Sequence, residues 1–234
     1  TRCRFYGDDK GIRQYSGYIR LVDCNVVGAS SRSVETSRGC FVAETSTFRG
    51  AAIVNVQIAG SESVAYLDGC TVRHGEKVGV GVYDGAELQA IDCQLRNNGQ
   101  SNFVTRSQAT LIGCVVSHSG KDGCQVGGGG VLQLLGCILH HNKERNLLAM
   151  EGGVGEMGSG SSGTADLGLL LGEKARAKLV ECEVVSCKTA GVRVDGSEAR
   201  CLVVDSRVAH SSPGAGLIIE RGALHLVDSI VEHN

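Results

Sequence analysis

Three arginines, Arg49, Arg73 and Arg96, recur about every 23 residues and form what we call the arginine row. Guanidinium groups bind carboxylates and phosphates through paired hydrogen bonds, so this residue type suits an acidic ligand. Ser117 and His140 stand at the equivalent positions of the next two intervals. In a stacked repeat these side chains would lie one above another, where like charges repel unless an anion lies across them. The spacing therefore predicts a site for an acidic glycan or an acidic partner protein, with a solvated row balanced by neighbouring acids as the simpler alternative.

A second basic cluster, Arg176, Lys178 and Arg200, lies farther along the chain, with His225 in the same region. It allows the same two interpretations, a contact surface or a solvated face. The candidate binding residues are therefore Arg49, Arg73, Arg96, His140, Arg176, Lys178 and Arg200.

A polar series runs one residue beyond the register of the arginine row: His74, Asn97, His118, His141, Ser186, His210 and His233. Stacked polar turns that hydrogen bond from one repeat to the next are the favoured interpretation. Neighbouring imidazoles such as His118 and His141 also suit a metal ion, but a zinc site needs at least a third protein ligand, and the sequence shows none. We predict neither a metal nor a cofactor, and a pH-sensitive stack of turns stays open as an alternative.

Acidic residues share another register, which contains Asp23, Asp92, Glu181, Asp205 and Asp228. A glycosidase needs two carboxyl groups about 5 to 9.5 Å apart, but stacking brings any two such residues close, so proximity alone identifies no active site. The register falls at a bend, where aspartate commonly bonds the local backbone. The sequence therefore predicts turn-forming acids here and names no catalytic residue.

The strands that would position these side chains are marked by a ladder of cysteines. These cysteines lie about 21 to 24 residues apart, or at twice that spacing. Its members are Cys3, Cys24, Cys70, Cys93, Cys114, Cys137 and Cys182. The residue two after each cysteine is apolar, as are those three and five before each cysteine from Cys24 onward, and serine replaces cysteine at Ser46, Ser206 and Ser229. Apolar and polar residues alternate around each rung of the ladder, which indicates strands with one buried face.

These features predict an all-β chain: a single right-handed parallel β-helix over residues 1–234, with about ten rungs of about 23 residues and three short strands each. Helical repeats need about 33 or 34 residues and a sustained helical periodicity, which is absent here. A further stretch, residues 151–166, is rich in glycine and serine and nearly free of apolar side chains. We expect it to be an insertion loop outside the coil, either a flexible excursion or a lid.

Composition narrows the possible partners. The chain has 34 glycines, one proline and a formal net charge of -2, which argues against a general nucleic-acid binder. No apolar run approaches the roughly 20 residues needed to cross a bilayer, so no membrane insertion is expected. The ladder cysteines occupy core positions, which predicts buried thiols and weakly favours an intracellular location, with a secreted one still open.

Two stretches, residues 79–98 and 191–206, carry the repeat most clearly. They resemble the parallel β-helix repeats of the pectin-lyase-like superfamily, in the style of those in carbohydrate-binding proteins and sugar hydrolases and in F-box substrate adaptors. The resemblance implies the β-helix fold. It also implies that an enzyme of this type would be a lyase, hydrolase or epimerase whose site gathers acids with arginine or lysine on an outward face. The Asn-Thr-Asp run and the Gly-His-Gly turn of the polygalacturonase branch are missing here.

These observations predict a non-catalytic binding or structural scaffold that contacts an acidic ligand or partner protein through an outward face. One alternative is a carbohydrate-active enzyme on an acidic polysaccharide, with the arginine row as its substrate clamp. Another is an architectural subunit with end-to-end contacts to neighbouring chains, because the coil shows no capping element at either end, and the chain would then be a segment of a longer protein or assembly.

Overall fold

Most turns of the chain form three short strands whose side chains alternate between the interior and the surface. In one such turn, the burial pattern along Glu87–Ile91 makes Leu88 and Ala90 inward residues and leaves Gln89 facing outward. The computed structural model describes residues 2–7 and 9–234, and that part of the chain contains strands and turns but no helix. With about ten turns of about 23 residues, it confirms the predicted right-handed parallel β-helix.

The strands are, in chain order, β1 (Arg4–Tyr6), β2 (Lys10–Gln14), β3 (Tyr18–Val22), β4 (Asn25–Ala29), β5 (Arg32–Thr36), β6 (Gly39–Glu44), β7 (Thr47–Ala51), β8 (Val54–Ala59), β9 (Ser63–Asp68), β10 (Thr71–Arg73), β11 (Val78–Tyr83), β12 (Glu87–Ile91), β13 (Gln94–Arg96), β14 (Phe103–Thr105), β15 (Gln108–Ile112), β16 (Val115–Ser117), β17 (Asp122–Val126), β18 (Val131–Leu135), β19 (Ile138–His140), β20 (Arg145–Ala149), β21 (Val154–Gly158), β22 (Ser161–Gly163), β23 (Leu167–Leu171), β24 (Arg176–Val180), β25 (Glu183–Val185), β26 (Ala190–Val204), β27 (Arg207–Ala209), β28 (Ala215–Val227) and β29 (Ile230–Glu232).

Parallel pairing between successive turns builds the faces of the coil. An 11-stranded sheet, here sheet A, runs in the order β1-β4-β7-β10-β13-β16-β19-β22-β25-β27-β29. The other strands form an 18-stranded parallel sheet. It has two faces: sheet B, which contains β2, β5, β8, β11, β14, β17, β20 and β23, and sheet C, which contains β3, β6, β9, β12, β15, β18, β21 and β24. The long strands β26 and β28 contribute to both.

The core is a column of small and aliphatic side chains with the cysteine ladder inside it. Cys70, Cys93, Cys114 and Cys137 are fully or almost fully buried free thiols, as the sequence predicts. The Cys93 Sγ donates weakly to backbone carbonyl oxygens on its own rung at 3.2 Å and on the preceding rung at 3.5 Å. A thiol therefore fits this position as a small apolar group that also finds a hydrogen-bond acceptor.

Bends in the left-handed region of backbone space flank most strands of sheet A. Asp23 and Asp92 precede their strands with φ of 53° and 49°, while His74 and His118 follow theirs with φ of 53° and 55°. Asparagine, aspartate and histidine tolerate this conformation better than most residues, which explains why both registers are polar. The predicted turn series is therefore confirmed as a backbone feature.

Inside the second bend, buried amides form a chain from rung to rung. The Asn98 Nδ2 donates to the Asn102 Oδ1 at 2.8 Å, and the Asn102 Nδ2 donates to the Asn142 Oδ1 at 3.3 Å. Asn55 and Asn146 extend the chain at its two ends. These bonds satisfy polar groups that would otherwise destabilise the core.

The prediction of an insertion loop at residues 151–166 is wrong, because this stretch forms an ordinary rung. Val154–Gly158 pairs with the strands before and after it in sheet C, and Ser161–Gly163 does the same in sheet A. Met157 fills one inward position, and at another the Leu147 side chain lies 3.4 Å from where a Cβ of Gly155 would stand. Large neighbours thus occupy the space that small residues leave, so a rung needs few apolar side chains of its own.

The last rung exposes apolar side chains, among them Ile219 and Ile230 at 52% and 57%. End-to-end contacts with another chain stay a prediction. No helix long and apolar enough to cross a membrane occurs among the described residues.

Candidate functional site

The arginine row occupies one outward column of sheet A. Arg73 pairs in register with Arg49 on one side and with Arg96 on the other, so the three residues sit on consecutive rungs about 4.8 Å apart. The residue before each arginine is fully buried and points into the core, so alternation turns the arginines outward. Ser117 and His140 continue the same column, as the sequence predicts.

The described residues place no acidic side chain in an ion pair with the row. Within the described residues, none of the three guanidinium groups forms an ion pair, and the Nε atom of each is buried without a protein acceptor. A buried donor left without a partner costs about 1–3 kcal/mol. The structure therefore does not support the alternative of arginines neutralised by neighbouring acids, and the row is arranged to gain from an added anion.

A groove opens beside the start of the row. A cavity of about 330 Å³ is lined by Arg2, Asp23, Cys24, Asn25, Thr45, Thr47, Arg49 and Arg73. A second cavity of about 480 Å³ shares Arg2, Asp23 and Asn25 with it. The Thr45 Oγ1 donates to Asp23 at 2.7 Å, and Arg2 lies 3.7 Å from the same carboxylate. The Oδ1 of Asn25 is buried without a protein donor, so the groove offers an unused acceptor beside its cations.

Three histidines, His118, His140 and His141, gather at the other end of the row and are here called the histidine cluster. The rings of His118 and His141 stack with centroids 5.1 Å apart, and His140 lies edge-on to both. The Nδ1 atoms of His140 and His141 are 2.6 Å apart. Burial lowers the pKa of His140, and the neighbouring His141 and His118 lower it further. Sequence reasoning placed His118 and His141 in a turn series and missed that His140 completes a cluster with them.

The groove beside the row does not offer a hydrolytic pair of carboxylates. Asp23 and Asp92 share the bend register but lie three rungs apart, which is about 14 Å. That separation exceeds the distance of about 5 to 9.5 Å at which two carboxyl groups flank a glycosidic bond. The region can bind carboxylates and can place single acids or bases beside them.

A larger cavity of about 680 Å³ lies farther along sheet A, and its lining includes Glu181, Glu183, Asp205, Asp228 and Arg207. Glu181 and Asp205 stand on adjacent rungs, and Arg207 already binds Glu183 and Glu232, each at 2.8 Å. Sequence reasoning missed Glu183 and Arg207, although their outward position in the strand was readable. We place the candidate site at the arginine row because its guanidinium groups form no ion pair within the described residues, whereas Arg207 in the larger cavity is neutralised by Glu183 and Glu232.

The second basic cluster lies on sheet C. Arg176 and Arg200 pair in register on adjacent rungs, and Lys178 is two residues along from Arg176. All three side chains are exposed, and within the described residues none of them forms an ion pair. Because the arginine row belongs to sheet A, the two clusters do not form one surface.

A preformed metal centre does not occur in the described part of the chain, where no three histidine, cysteine, aspartate or glutamate side chains are arranged to hold an ion.

Comparison with known proteins connects this geometry to a family. The family model described as the right-handed β-helix region matches residues 1–162 and 55–234, which together span the chain. Among curated proteins, no sequence matches significantly.

Three solved structures share the fold at low sequence identity. The A-module of mannuronan C-5 epimerase AlgE4 from Azotobacter vinelandii has a TM-score of 0.66 at 9% identity, covering 98% of this chain and 76% of the epimerase. The periplasmic alginate epimerase AlgG has a TM-score of 0.69 at 9% identity, with 94% and 70% covered. The catalytic unit of a thermostable α-1,3-glucanase from Streptomyces thermodiastaticus has a TM-score of 0.51 at 10% identity, with 94% and 63% covered.

Proposed function

The chain belongs to the right-handed β-helix family, and we propose that it is a carbohydrate-active protein that holds an acidic polysaccharide along the arginine row. The observation that carries the proposal is the stack of Arg49, Arg73 and Arg96, three guanidinium groups on consecutive rungs that have no acidic partner among the described residues. Such a stack is electrostatically unfavourable until a repeating anion lies across it.

A polymer suits this surface better than a single small anion. The row presents one cation per rung, about 4.8 Å apart, along an open face of sheet A. Thr47, Thr71 and Gln94 form the neighbouring outward column and offer hydroxyl and amide groups for sugar hydroxyls. An acidic glycan supplies both the repeated carboxylates and the hydroxyl groups, which an isolated phosphate does not.

Because the described residues of the groove provide no pair of carboxylates, the site favours a reaction that begins by removing a proton from the carbon next to the sugar's own carboxylate. An arginine bound to that carboxylate stabilises the negative charge that develops as the carbon loses its proton. Return of a proton to the opposite face gives the epimer, whereas departure of the glycosidic oxygen from the adjacent carbon gives an unsaturated sugar. Asp23 in the groove and His74, the residue after Arg73, are candidates to move the proton.

The comparisons support a carbohydrate-active enzyme better than the non-catalytic scaffold predicted from the sequence. Two solved structures with this fold are named as epimerases of mannuronan and alginate. Their 9% identity establishes the fold alone, so the substrate class rests here on the arginine row. Binding without turnover remains the second candidate function, because paired hydrogen bonds from the arginine row can hold a carboxylate ligand without any proton transfer.

The test is binding of the purified protein to an array of acidic and neutral glycans, beside a variant carrying Arg49→Ala, Arg73→Ala and Arg96→Ala. We expect acidic glycans alone to bind and the triple variant to lose that signal. The matched control is Arg176→Ala with Arg200→Ala, which removes stacked arginines from sheet C and should bind like the wild type. Equal binding by the triple variant would contradict the proposal.

Bound glycans are then tested for turnover. Absorbance of the newly formed double bond reports a lyase, and the proton NMR spectrum of the polymer reports an epimerase. A glycan that binds but changes in neither assay would establish the non-catalytic function.

A further inference from the structure

The histidine cluster holds its rings in an arrangement that only partly protonated imidazoles can keep. The Nδ1 atoms of His140 and His141 face each other at 2.6 Å. One of them must donate a proton and the other must accept it, so this contact requires that at least one of the two rings is neutral. If every ring were protonated, all the ring nitrogens would be donors and the contact would become a repulsion between cations.

In the part of the chain that the structure describes, no carboxylate forms an ion pair with His118, His140 or His141. The charged groups that affect the pKa of His140 are His141 and His118, and both lower it. On the neighbouring rungs, Arg96 lies beyond Ser117 in the same column. The turns that follow carry Lys121, Lys143 and Glu144, and the Glu144 carboxylate is bound by Arg145 at 2.9 Å. The surroundings are thus cationic, and protonation of the cluster calls for an external anion.

That anion is available in the ligand proposed for the row. His140 stands in the same outward column as Arg96, two rungs or about 10 Å along it. A polymer bound across Arg49, Arg73 and Arg96 and extended in the same direction passes over the cluster. Its next carboxylates then meet the imidazole rings.

We propose that the histidine cluster is a proton-dependent extension of the arginine row, which binds further carboxylates of the acidic glycan when its rings are protonated. The inference rests on the proposed function and concerns its regulation. Histidine titrates near neutral pH whereas uronic carboxyl groups stay ionised well below it, so the ligand keeps its charge while the protein gains charge. Binding therefore tightens as the pH falls from 7.5 to 5.5, and each bound carboxylate raises the pKa values of the rings it contacts.

The test measures binding of a uronate oligosaccharide of defined length at pH 7.5 and pH 5.5 by calorimetry. We expect about tenfold tighter binding at the lower pH, the effect of one additional charge-assisted hydrogen bond. The variant carries His118→Asn, His141→Asn and His140→Ser. Neighbouring rungs carry the same residue types at the equivalent positions, namely Asn97 and Ser117. It should fold, and its affinity for the oligosaccharide at both pH values should equal the wild-type affinity at pH 7.5.

A control variant, His210→Asn with His233→Asn, removes the other stacked pair, whose ring centroids are 5.3 Å apart. It should keep the full pH dependence. Ring-proton NMR titration supplies a second readout, in which the cluster pKa values rise when the oligosaccharide is added.

The outcomes separate the two proposals. Wild-type binding that is equal at both pH values, or a pH effect that survives in the histidine variant, overturns the proton-dependent extension and leaves the arginine row standing. Absence of uronate binding at either pH overturns both. Ring pKa values that do not move when the oligosaccharide binds also contradict the extension.

Discussion

Arg73 pairs in register with Arg49 on one side and with Arg96 on the other, and within the described residues no ion pair neutralises any of these three like charges. Each guanidinium has a buried Nε without a protein acceptor. Some stacked charges elsewhere in the coil are opposite in sign, as with Arg20 and Glu44 on adjacent rungs of sheet C at 2.8 Å. The same scaffold therefore builds neutralised columns, and the arginine row departs from them.

Replacing the middle arginine tests whether the row is electrostatically strained. We expect Arg73→Ala to leave the free energy of unfolding unchanged or to raise it by up to about 1 kcal/mol at low salt, because it removes two like-charge contacts. The gain should shrink as added salt screens the charges. Urea denaturation at low and high ionic strength measures both effects.

The comparison variant is Arg207→Ala, which removes a guanidinium bound to Glu183 and Glu232. It should be less stable than the wild type at low salt, the opposite sign to Arg73→Ala. The same sign for both variants would show that the row is not strained.

Local periodicity is what made the fold predictable. Cys93 and Ser46 occupy the same inward position of the repeat, and the spacing of the sequence alone identifies that position. The lack of an ion pair at Arg73 among the described residues was not predictable, because it depends on side chains brought together from several rungs. Whether Gly155 lies in a loop or a strand was also hidden, since the Leu147 side chain that fills its space comes from an adjacent strand.

The cysteine register predicts a tolerated substitution. At the equivalent position, the Ser46 hydroxyl donates to a backbone carbonyl at 2.8 Å and accepts from the Cys24 amide at 3.0 Å. A hydroxyl therefore finds both partners in this environment. We expect Cys93→Ser to change the free energy of unfolding by less than about 1 kcal/mol, whereas Cys93→Leu should cost about 1–3 kcal/mol by overpacking. Thermal unfolding of the two variants distinguishes them, and equal losses would contradict the prediction.

Glu35 gives the stability of the first rungs a pH dependence. Burial alone would raise its pKa, but the hydrogen bond from Lys10 and the charges of Arg32, Lys10 and Arg13 outweigh burial and lower it. Lys10 lies 2.6 Å away, Arg13 3.1 Å and Arg32 3.3 Å. Because the folded pKa is below the unfolded value, this stabilisation is present above about pH 4.5 and is lost as the pH falls through the folded pKa.

The variant Glu35→Gln keeps the shape of Glu35 and removes its charge. It should be less stable at pH 7 by about 2 kcal/mol, because three cations lose their shared partner. The difference from the wild type should vanish in acid. Denaturation at pH 7 and pH 3 measures it, and a difference that persists at pH 3 would point to packing.

The buried amide chain should be sensitive to loss of one member. In Asn98→Ala, the Asn102 Oδ1 and the Gly75 amide lose hydrogen-bond partners inside the core. We expect a loss of about 2 kcal/mol in the free energy of unfolding. Asn97→Gly, at the adjacent left-handed bend, should be nearly neutral because glycine accepts that conformation readily. Equal effects of the two substitutions in urea denaturation would show that the chain of amides is not stabilising.

Gly155 tests whether residues 151–166 are truly a rung of the coil. A Cβ placed there would lie 3.4 Å from the Leu147 side chain and 3.8 Å from that of Val126, distances that permit contact. Gly155→Ala should therefore raise the free energy of unfolding by about 0.5 kcal/mol, since it also restricts the unfolded chain. Gly152→Ala, at a φ of 75°, should lower it by about 1 kcal/mol. In a looped-out segment neither substitution would matter, and the amides of Val154–Gly158 would exchange with solvent rapidly. Hydrogen exchange as slow as in the flanking strands, together with opposite signs for the two variants, is expected because this stretch pairs on both sides within sheet C.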